Sequence, residues 1–160
     1  MLSATVSGAI ITSYEAAFAA VPLLVSFIPM LMGTGGNSGS QSSTLIIRGI
    51  ALDEIRFKDL PRVIFKEFRI SLLVGTILSI LNGLRIAIFY KDITLGIVVG
   101  ISLLFTIMIA KLIGGALPLL AKKVGLDPAI MAAPLITTIV DTCSILIFFQ
   151  IATMFFQISL

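Results

Sequence analysis

The sequence contains no histidine, no tryptophan and a single cysteine, Cys143. These counts exclude an internal disulfide, a zinc cluster of cysteine and histidine, a histidine-ligated haem and a serine–histidine catalytic pair. Cys143 is therefore interpreted as a packing residue. Charged residues are also scarce, at 12% of the chain, whereas hydrophobic residues make up 58% and the mean hydropathy is +1.17. This composition is typical of an integral membrane protein.

Apolar runs predict an all-α membrane protein with five transmembrane helices in a single domain, residues 1–160. The runs cover residues 2–14, 16–47, 70–90, 93–121 and 129–160. A helix needs about 20 residues to cross the hydrocarbon core, so the first helix is either short or truncated. At 160 residues, the chain leaves no room for a separate soluble domain.

Helix ends are marked at two places. Gly125 is expected to end the fourth helix, and Asp127 to cap the fifth. Asp59 is expected to cap a helix with Pro61 in its first turn. We predict that this helix runs through Glu67 into the third span without a break.

The basic residues indicate the orientation of the chain in the membrane. Six of the eleven lie between the second and third spans: Arg48, Arg56, Lys58, Arg62, Lys66 and Arg69. Basic loops favour the cytoplasmic side, so we expect a multi-pass protein of the cell membrane with its N-terminus inside and its C-terminus outside. Acidic residues are mixed into this loop, which argues against nucleic-acid binding.

A polar, glycine-rich stretch, GTGGNSGSQSST, interrupts the apolar sequence at residues 33–44. Its polar side chains at helical spacing are Asn37, Ser40, Gln41 and Thr44. This spacing predicts one polar face on a helix, and the four glycines predict a break in it. Unpaired backbone amides are costly in hydrocarbon, so the stretch is expected to face a cavity or another helix.

The last span carries Thr137, Thr138 and Asp141 at helical spacing. A carboxylate near the middle of a span costs about 2.5 to 3.5 kcal/mol, so Asp141 is interpreted as part of a functional site. Lys111 of the fourth span is considered as its partner, although we expect Lys111 to reach the headgroups or pair with another helix. The hydroxyls and glycines have an alternative explanation as packing contacts between helices.

A carboxylate together with hydroxyl, amide and carbonyl oxygens suits a hard cation, and Mg²⁺ retains most of its waters in such sites. One aspartate cannot neutralise a divalent ion. A twofold axis along a pore would bring Asp141 from two chains to one site. The residues therefore predict a homodimeric divalent-cation channel, with Mn²⁺, Co²⁺ and Ca²⁺ as alternatives to Mg²⁺.

Two long motifs, PMLMGTGGNSGSQSSTLIIRGIALDEI and KKVGLDPAIMAAPLITTIVDTCSILIFF, resemble the transmembrane domain of the MgtE family of magnesium channels. The resemblance implies five helices, a homodimer embedded in lipid, and an ion path on the dimer axis lined by the second and fifth helices. It also implies that Asp141 holds a hydrated Mg²⁺ together with its counterpart in the partner. The family's cytoplasmic N-terminal domain and nucleotide-sensing regulatory module have no counterpart in these 160 residues.

The candidate site follows from the residues and this resemblance together. The metal site is predicted to comprise Asp141, Thr137, Asn37 and Thr44, and the pore lining Gly33, Gly36, Ser40, Gln41 and Thr138. Glu67 matches the acid that opens the third helix and is assigned to the cytoplasmic mouth.

Three other functions remain as alternatives. A proton- or sodium-coupled divalent-cation exporter would titrate Asp141 in each cycle. An intramembrane aspartyl hydrolase needs two carboxylates in one site, whereas each chain offers one acid at the centre of a span. A purely structural membrane subunit would carry no ion. We predict a transporter and not an enzyme.

Overall fold

A computed structural model describes residues 5, 8, 9, 12 and 21–157, with the backbone alone at 130–133. A short 3-10 helix, Pro22–Phe27, leads directly into α1, Ile28–Ala51. A second 3-10 turn, Phe57–Asp59, precedes α2, Leu60–Tyr90. The chain then forms α3, Ile93–Lys123, and α4, Pro128–Phe156. No strand occurs in the described residues, which confirms the predicted all-α class.

Three helices in the described part of the chain are long and apolar enough to cross a membrane. They are Phe57–Tyr90, Ile93–Lys123 and Pro134–Phe156. These segments contain or largely overlap the third, fourth and fifth predicted spans. The second predicted span is represented by α1, whose glycines and hydroxyl residues make it more polar than the other three. The first, residues 2–14, lies almost wholly outside the described residues.

The glycine-rich stretch does not break α1, so the prediction of irregular backbone at residues 33–44 was wrong. The reason is close helix packing. A Cβ placed on Gly35 would lie 2.8 Å from side-chain atoms of both Thr106 and Val140. A Cβ on Gly114 would overlap the carbonyl oxygen of Gly39. These glycines let α1 approach α3 and α4 closely, and that packing compensates for the low helix propensity of glycine.

Helix α3 lies at the centre of the bundle and packs against α1, α2 and α4, while α1 also packs against α4. The largest core cluster includes Leu103, Ile107 and Phe148, which are all 1% exposed or less. The α2–α3 contact is again close, because a Cβ on Gly96 would lie 2.6 Å from the carbonyl oxygen of Gly83. As a result, α1 and α4 lie side by side on one flank of α3, with the long helix α2 against another part of its surface.

The predicted helix ends are largely confirmed. Asp127 accepts a hydrogen bond from the Ala129 amide at 2.8 Å, and Gly125 adopts a positive φ of 79°. Helix α2 continues without a break from Leu60 through Glu67, as predicted. Asp59 occupies the N-cap position with Pro61 in the first turn, as predicted, but its carboxylate accepts from the Arg56 amide at 3.0 Å instead of from an amide of α2.

Candidate functional site

Helix α1 presents polar side chains on two different sides. Asn37, Gln41 and Thr44 are exposed, and Ser40 is half-buried. Together with Leu45 they line a shallow groove of about 510 Å³. Other serines of α1 are buried against the neighbouring helices: Ser38, Ser42 and Ser43. The exposed polar face predicted from the sequence is therefore present, and a second, buried set of hydroxyls accompanies it.

The polar residues of α4 lie next to this face. A Cβ on Gly36 would lie 3.9 Å from the Thr137 methyl carbon, and a Cβ on Gly39 would lie 2.8 Å from the Ile136 side chain. The two helices therefore run past each other at the level of these residues. Thr137 is exposed, whereas Thr138 and Asp141 are half-buried. The structure thus brings the predicted site residues of α4 alongside those of α1.

The glycines in the stretch have different environments. Gly35 and Gly39 are buried in helix contacts, as the packing alternative requires. Gly33 is exposed, and a Cβ added to it would meet nothing within 4 Å. Gly36 is half-buried and adjoins Thr137. Only Gly33 and Gly36 therefore remain candidates for the lining of a pore.

The Asp141 side chain makes no hydrogen bond or ion pair with any residue among those described. Lys111, considered as its partner from the sequence, is engaged elsewhere. An unpaired carboxylate within a membrane-length helix is costly unless it meets water, a cation or another protein surface. The Asp141 carboxylate therefore has no neutralising partner among the residues that the structure describes.

The threonine hydroxyls of the candidate site donate to the backbone of their own helices. Thr44 donates to the Ser40 carbonyl oxygen at 2.8 Å. Thr137 and Thr138 donate to the Pro134 carbonyl oxygen at 3.1 and 2.9 Å. A hydroxyl whose proton is used in this way presents its oxygen lone pairs as acceptors. Acceptors suit the water molecules around a cation, because those waters point their protons outward.

A second polar cluster lies inside the bundle and joins three helices. Ser42 of α1 donates to Glu67 Oε2 of α2 at 2.6 Å. Lys111 Nζ of α3 donates to the Ser42 hydroxyl at 3.2 Å and lies 3.8 Å from the same carboxylate oxygen. Exposure is 0% for Ser42, 2% for Glu67 and 8% for Lys111. The expected pairing of Lys111 with another helix is therefore confirmed, with Glu67 as its partner.

This arrangement buries Glu67, whereas the sequence assigned it to a cytoplasmic mouth. Its side chain points toward α1 and α3 within the single chain, and its role at a mouth stays a prediction. Ser42 was missed, since it lies off the face formed by Asn37, Gln41 and Thr44. The available signal was an acid, Glu67, just before the third span and a lysine, Lys111, within the fourth.

Among the described residues, no three acidic, cysteine or histidine side chains come together as they would in a dehydrated metal site. The sequence profile of the MgtE family, described as a divalent cation transporter, matches residues 28–151. The chain belongs to the MgtE family. The matched region begins at the first residue of α1 and ends within α4, so the MgtE profile covers both helices that carry the candidate site.

Curated relatives agree with this assignment. The magnesium transporter MgtE of Bacillus subtilis (strain 168) is 41% identical over 150 residues, which are 94% of this chain and 33% of that protein. The magnesium transporter MgtE of Thermus thermophilus is 37% identical over 157 residues, 98% of this chain and 35% of that protein. The magnesium transporter MgtE of Enterococcus faecalis is 32% identical over 151 residues, which are 94% of this chain and 33% of that protein. The chain therefore spans about a third of the length of the curated relatives it matches.

Proposed function

We propose that this MgtE chain conducts Mg²⁺ across the cell membrane through a pore formed by two copies of the chain. The observation that carries the proposal is the exposed polar face of α1 beside the unpaired carboxylate of Asp141. In an isolated chain this face would meet hydrocarbon, which is unfavourable for amides and carboxylates. A second copy placed over the same face would enclose it and create an aqueous path.

The chemistry of the face suits a hydrated divalent ion. One Asp141 from each chain would supply the two negative charges that Mg²⁺ requires, and Thr137 and Asn37 would accept hydrogen bonds from its waters. Thr44 lies two turns, about 10 Å, further along α1 than Asn37 and would contact the waters of the ion at another point of the path. Ser40, Gln41 and Thr138 extend the polar lining. Gly33 and Gly36 have no side chains, so they leave width for an ion that keeps its hydration shell.

Transport down the electrical gradient needs no coupled ion. Two charges that cross a potential of 100 mV gain about 4.6 kcal/mol. A channel is therefore sufficient for uptake into a negatively charged interior. With the basic end of α2 in the cytoplasm, the N-terminus would be inside and the C-terminus outside.

The transport assay uses the purified chain in liposomes that enclose a Mg²⁺-sensitive dye. A potassium gradient with valinomycin sets an inside-negative potential, and neither a pH gradient nor a sodium gradient is imposed. We expect Mg²⁺ entry that rises with the potential and is absent from empty liposomes. Entry only when a proton or sodium gradient is added would contradict the channel and support a coupled transporter.

The dimer can be tested separately, because Cys143 is the one native cysteine. In a Cys143→Ser background, Gln41→Cys places a thiol on the exposed polar face of α1. Ile88→Cys places a matched thiol on α2, where Ile88 is 72% exposed. Oxidation in the membrane should give a disulfide-linked dimer for the first variant and monomer for the second. The reverse pattern would exclude a pore between the α1 faces.

A further inference from the structure

A groove with three basic side chains lies on the surface of α2. Arg62, Lys66 and Arg69 follow one another at i, i+4 and i+7, so they share one face of the helix. We call this surface the basic groove; it has a volume of about 1030 Å³, and its lining includes Arg62, Phe65, Lys66, Arg69, Leu73 and Ile77. At about 100° per residue, the face is turned roughly 200 to 260° around the helix from Glu67. The groove therefore points away from the buried Ser42–Glu67–Lys111 cluster.

The positive charge of the basic groove is not neutralised within the described chain. The ion pairs among the described residues join Arg56 to Asp53 and Lys111 to Glu67, and neither includes a side chain of the groove. Glu67 is the acid closest to the groove in sequence, but it lies on the opposite side of α2. The Arg69 guanidinium lies 5.9 Å from the centre of the Phe65 ring. This contact holds the cation against α2, next to the apolar residues of the groove, Leu73 and Ile77.

The depth of the groove in the membrane follows from the length of α2. The mainly apolar part of the helix, from Ile70 to Tyr90 with Arg85 near its far end, is about 31 Å long at 1.5 Å per residue and matches a hydrocarbon core of about 30 Å. The basic side chains therefore lie within about two turns of its edge, at the level of the lipid headgroups. Leu73 and Ile77 are 66% and 52% exposed and continue the groove into the hydrocarbon.

We propose that the basic groove is a binding site for an anionic phospholipid. The phosphate would be held by Arg62, Lys66 and Arg69, and one acyl chain would lie along Leu73 and Ile77. A zwitterionic lipid would bring its own cationic group toward three unneutralised cations, so the charge favours a lipid with net negative charge. The proposal is independent of which ion the protein transports. A dimer formed through α1 and α4 would leave this side of α2 facing lipid.

The experiment uses the absence of native tryptophan. Leu73→Trp introduces a single fluorescent reporter into the groove, and Ile88→Trp introduces a matched reporter near the other end of α2. Both proteins are reconstituted in phosphatidylcholine vesicles that contain either brominated phosphatidylglycerol or brominated phosphatidylcholine, since bromine quenches a tryptophan that it contacts. For the Leu73→Trp reporter we expect a preference of about threefold or more for the anionic lipid, given the contribution of each basic residue near a membrane surface. The Ile88→Trp reporter should show no preference.

Variants in the Leu73→Trp background test the residues of the groove. Arg62→Gln with Arg69→Gln should reduce the preference to near one, whereas Arg62→Lys with Arg69→Lys should retain most of it. Lys122→Gln with Lys123→Gln is the matched control. It removes two charges at the same membrane surface, where the Lys123 ammonium lies 4.2 Å from the Phe57 ring, and should leave the preference intact.

Two results would overturn the proposal. One is equal quenching by the two brominated lipids at the Leu73→Trp reporter. The other is an equal loss of preference in the Lys122→Gln, Lys123→Gln control, which would indicate general surface charge without a site. All the substituted side chains of the groove are exposed, and the elution profile of each variant in detergent checks that it remains folded.

Discussion

Two carboxylates in the membrane-length helices have opposite surroundings. Glu67 is 2% exposed, accepts a hydrogen bond from Ser42 and lies beside Lys111. Asp141 is half-buried and has no partner among the described residues, and it lies one helical turn from the exposed Thr137 on α4. A buried charge is tolerated when its partner and hydrogen bonds are present. The requirement of Glu67 is thus met by described residues of the chain, whereas no described residue meets that of Asp141.

Removal of one partner from the buried pair should give the largest change in stability. Lys111→Met leaves the Glu67 carboxylate without a counter-charge inside the bundle. We expect the free energy of unfolding to fall by about 3–5 kcal/mol, as it does when buried pairs are broken elsewhere. The measurement is reversible unfolding of the purified protein in mixed detergent and SDS micelles.

The double variant Glu67→Gln, Lys111→Met is the control for that experiment. It removes both charges and leaves an amide that still accepts from Ser42. We expect most of the lost stability to return, because replacement of a whole buried pair is often close to neutral. A double variant as unstable as Lys111→Met alone would show that the lysine stabilises by packing instead of charge.

Removal of the charge at Asp141 should affect transport strongly and stability little. Asp141→Asn removes a charge that has no partner in the described chain, so stability should be unchanged or slightly higher. Transport should fall by about 10- to 150-fold, which corresponds to the loss of a charge-assisted contact worth about 1.5–3 kcal/mol. Flux into the dye-loaded liposomes measures it, with Asp141→Glu as the charge-preserving control. Native flux by Asp141→Asn would remove this residue from the ion path.

The contrast between these two sites also shows what the sequence could and could not predict. The three membrane-length helices and the cap at Asp127 follow from local patterns, namely apolar length and capping chemistry, and the proposed role of Asp141 rests on a charge where hydrocarbon is expected. The continuity of α1 through its glycines depends on neighbours such as Thr106 and Val140, which no local pattern identifies. The buried cluster joins residues that are 25 and 69 positions apart in the chain, so periodicity carries no information on it.

Helix α1 contributes to both the buried Ser42–Glu67–Lys111 cluster and the exposed polar face, and its position depends on its close contact with α3. Gly114→Ala would place a methyl group against the carbonyl oxygen of Gly39, and backbone atoms cannot rotate away. We expect a loss of about 1–3 kcal/mol in unfolding free energy, as for overpacked cores, and reduced transport because the polar face moves. Gly33→Ala is the matched control, since a Cβ there meets nothing within 4 Å. It should leave stability unchanged or raise it by about 1 kcal/mol through helix propensity. Equal destabilisation by both variants would contradict the role of the Gly39–Gly114 contact.

The smallest effect is expected at a third carboxylate, which forms an ion pair in water. A side-chain hydrogen bond from Arg56, together with its positive charge, lowers the pKa of Asp53 below its ordinary value of 3.8. The two groups are 2.5 Å apart, but their side chains are 59% and 72% exposed, so solvent screens most of the attraction. Because the folded chain binds the proton less readily than the unfolded chain, the pair stabilises the fold above about pH 4 and loses this contribution as the pH falls through the lowered pKa. The melting temperature of Asp53→Asn should therefore lie slightly below that of the native protein at pH 7, and the two should converge as the pH falls through the lowered pKa of Asp53. If Asp53→Asn lowers the stability at pH 7 as much as Lys111→Met does, the exposed and buried ion pairs contribute equally. Burial would then not explain the importance of the Glu67–Lys111 pair.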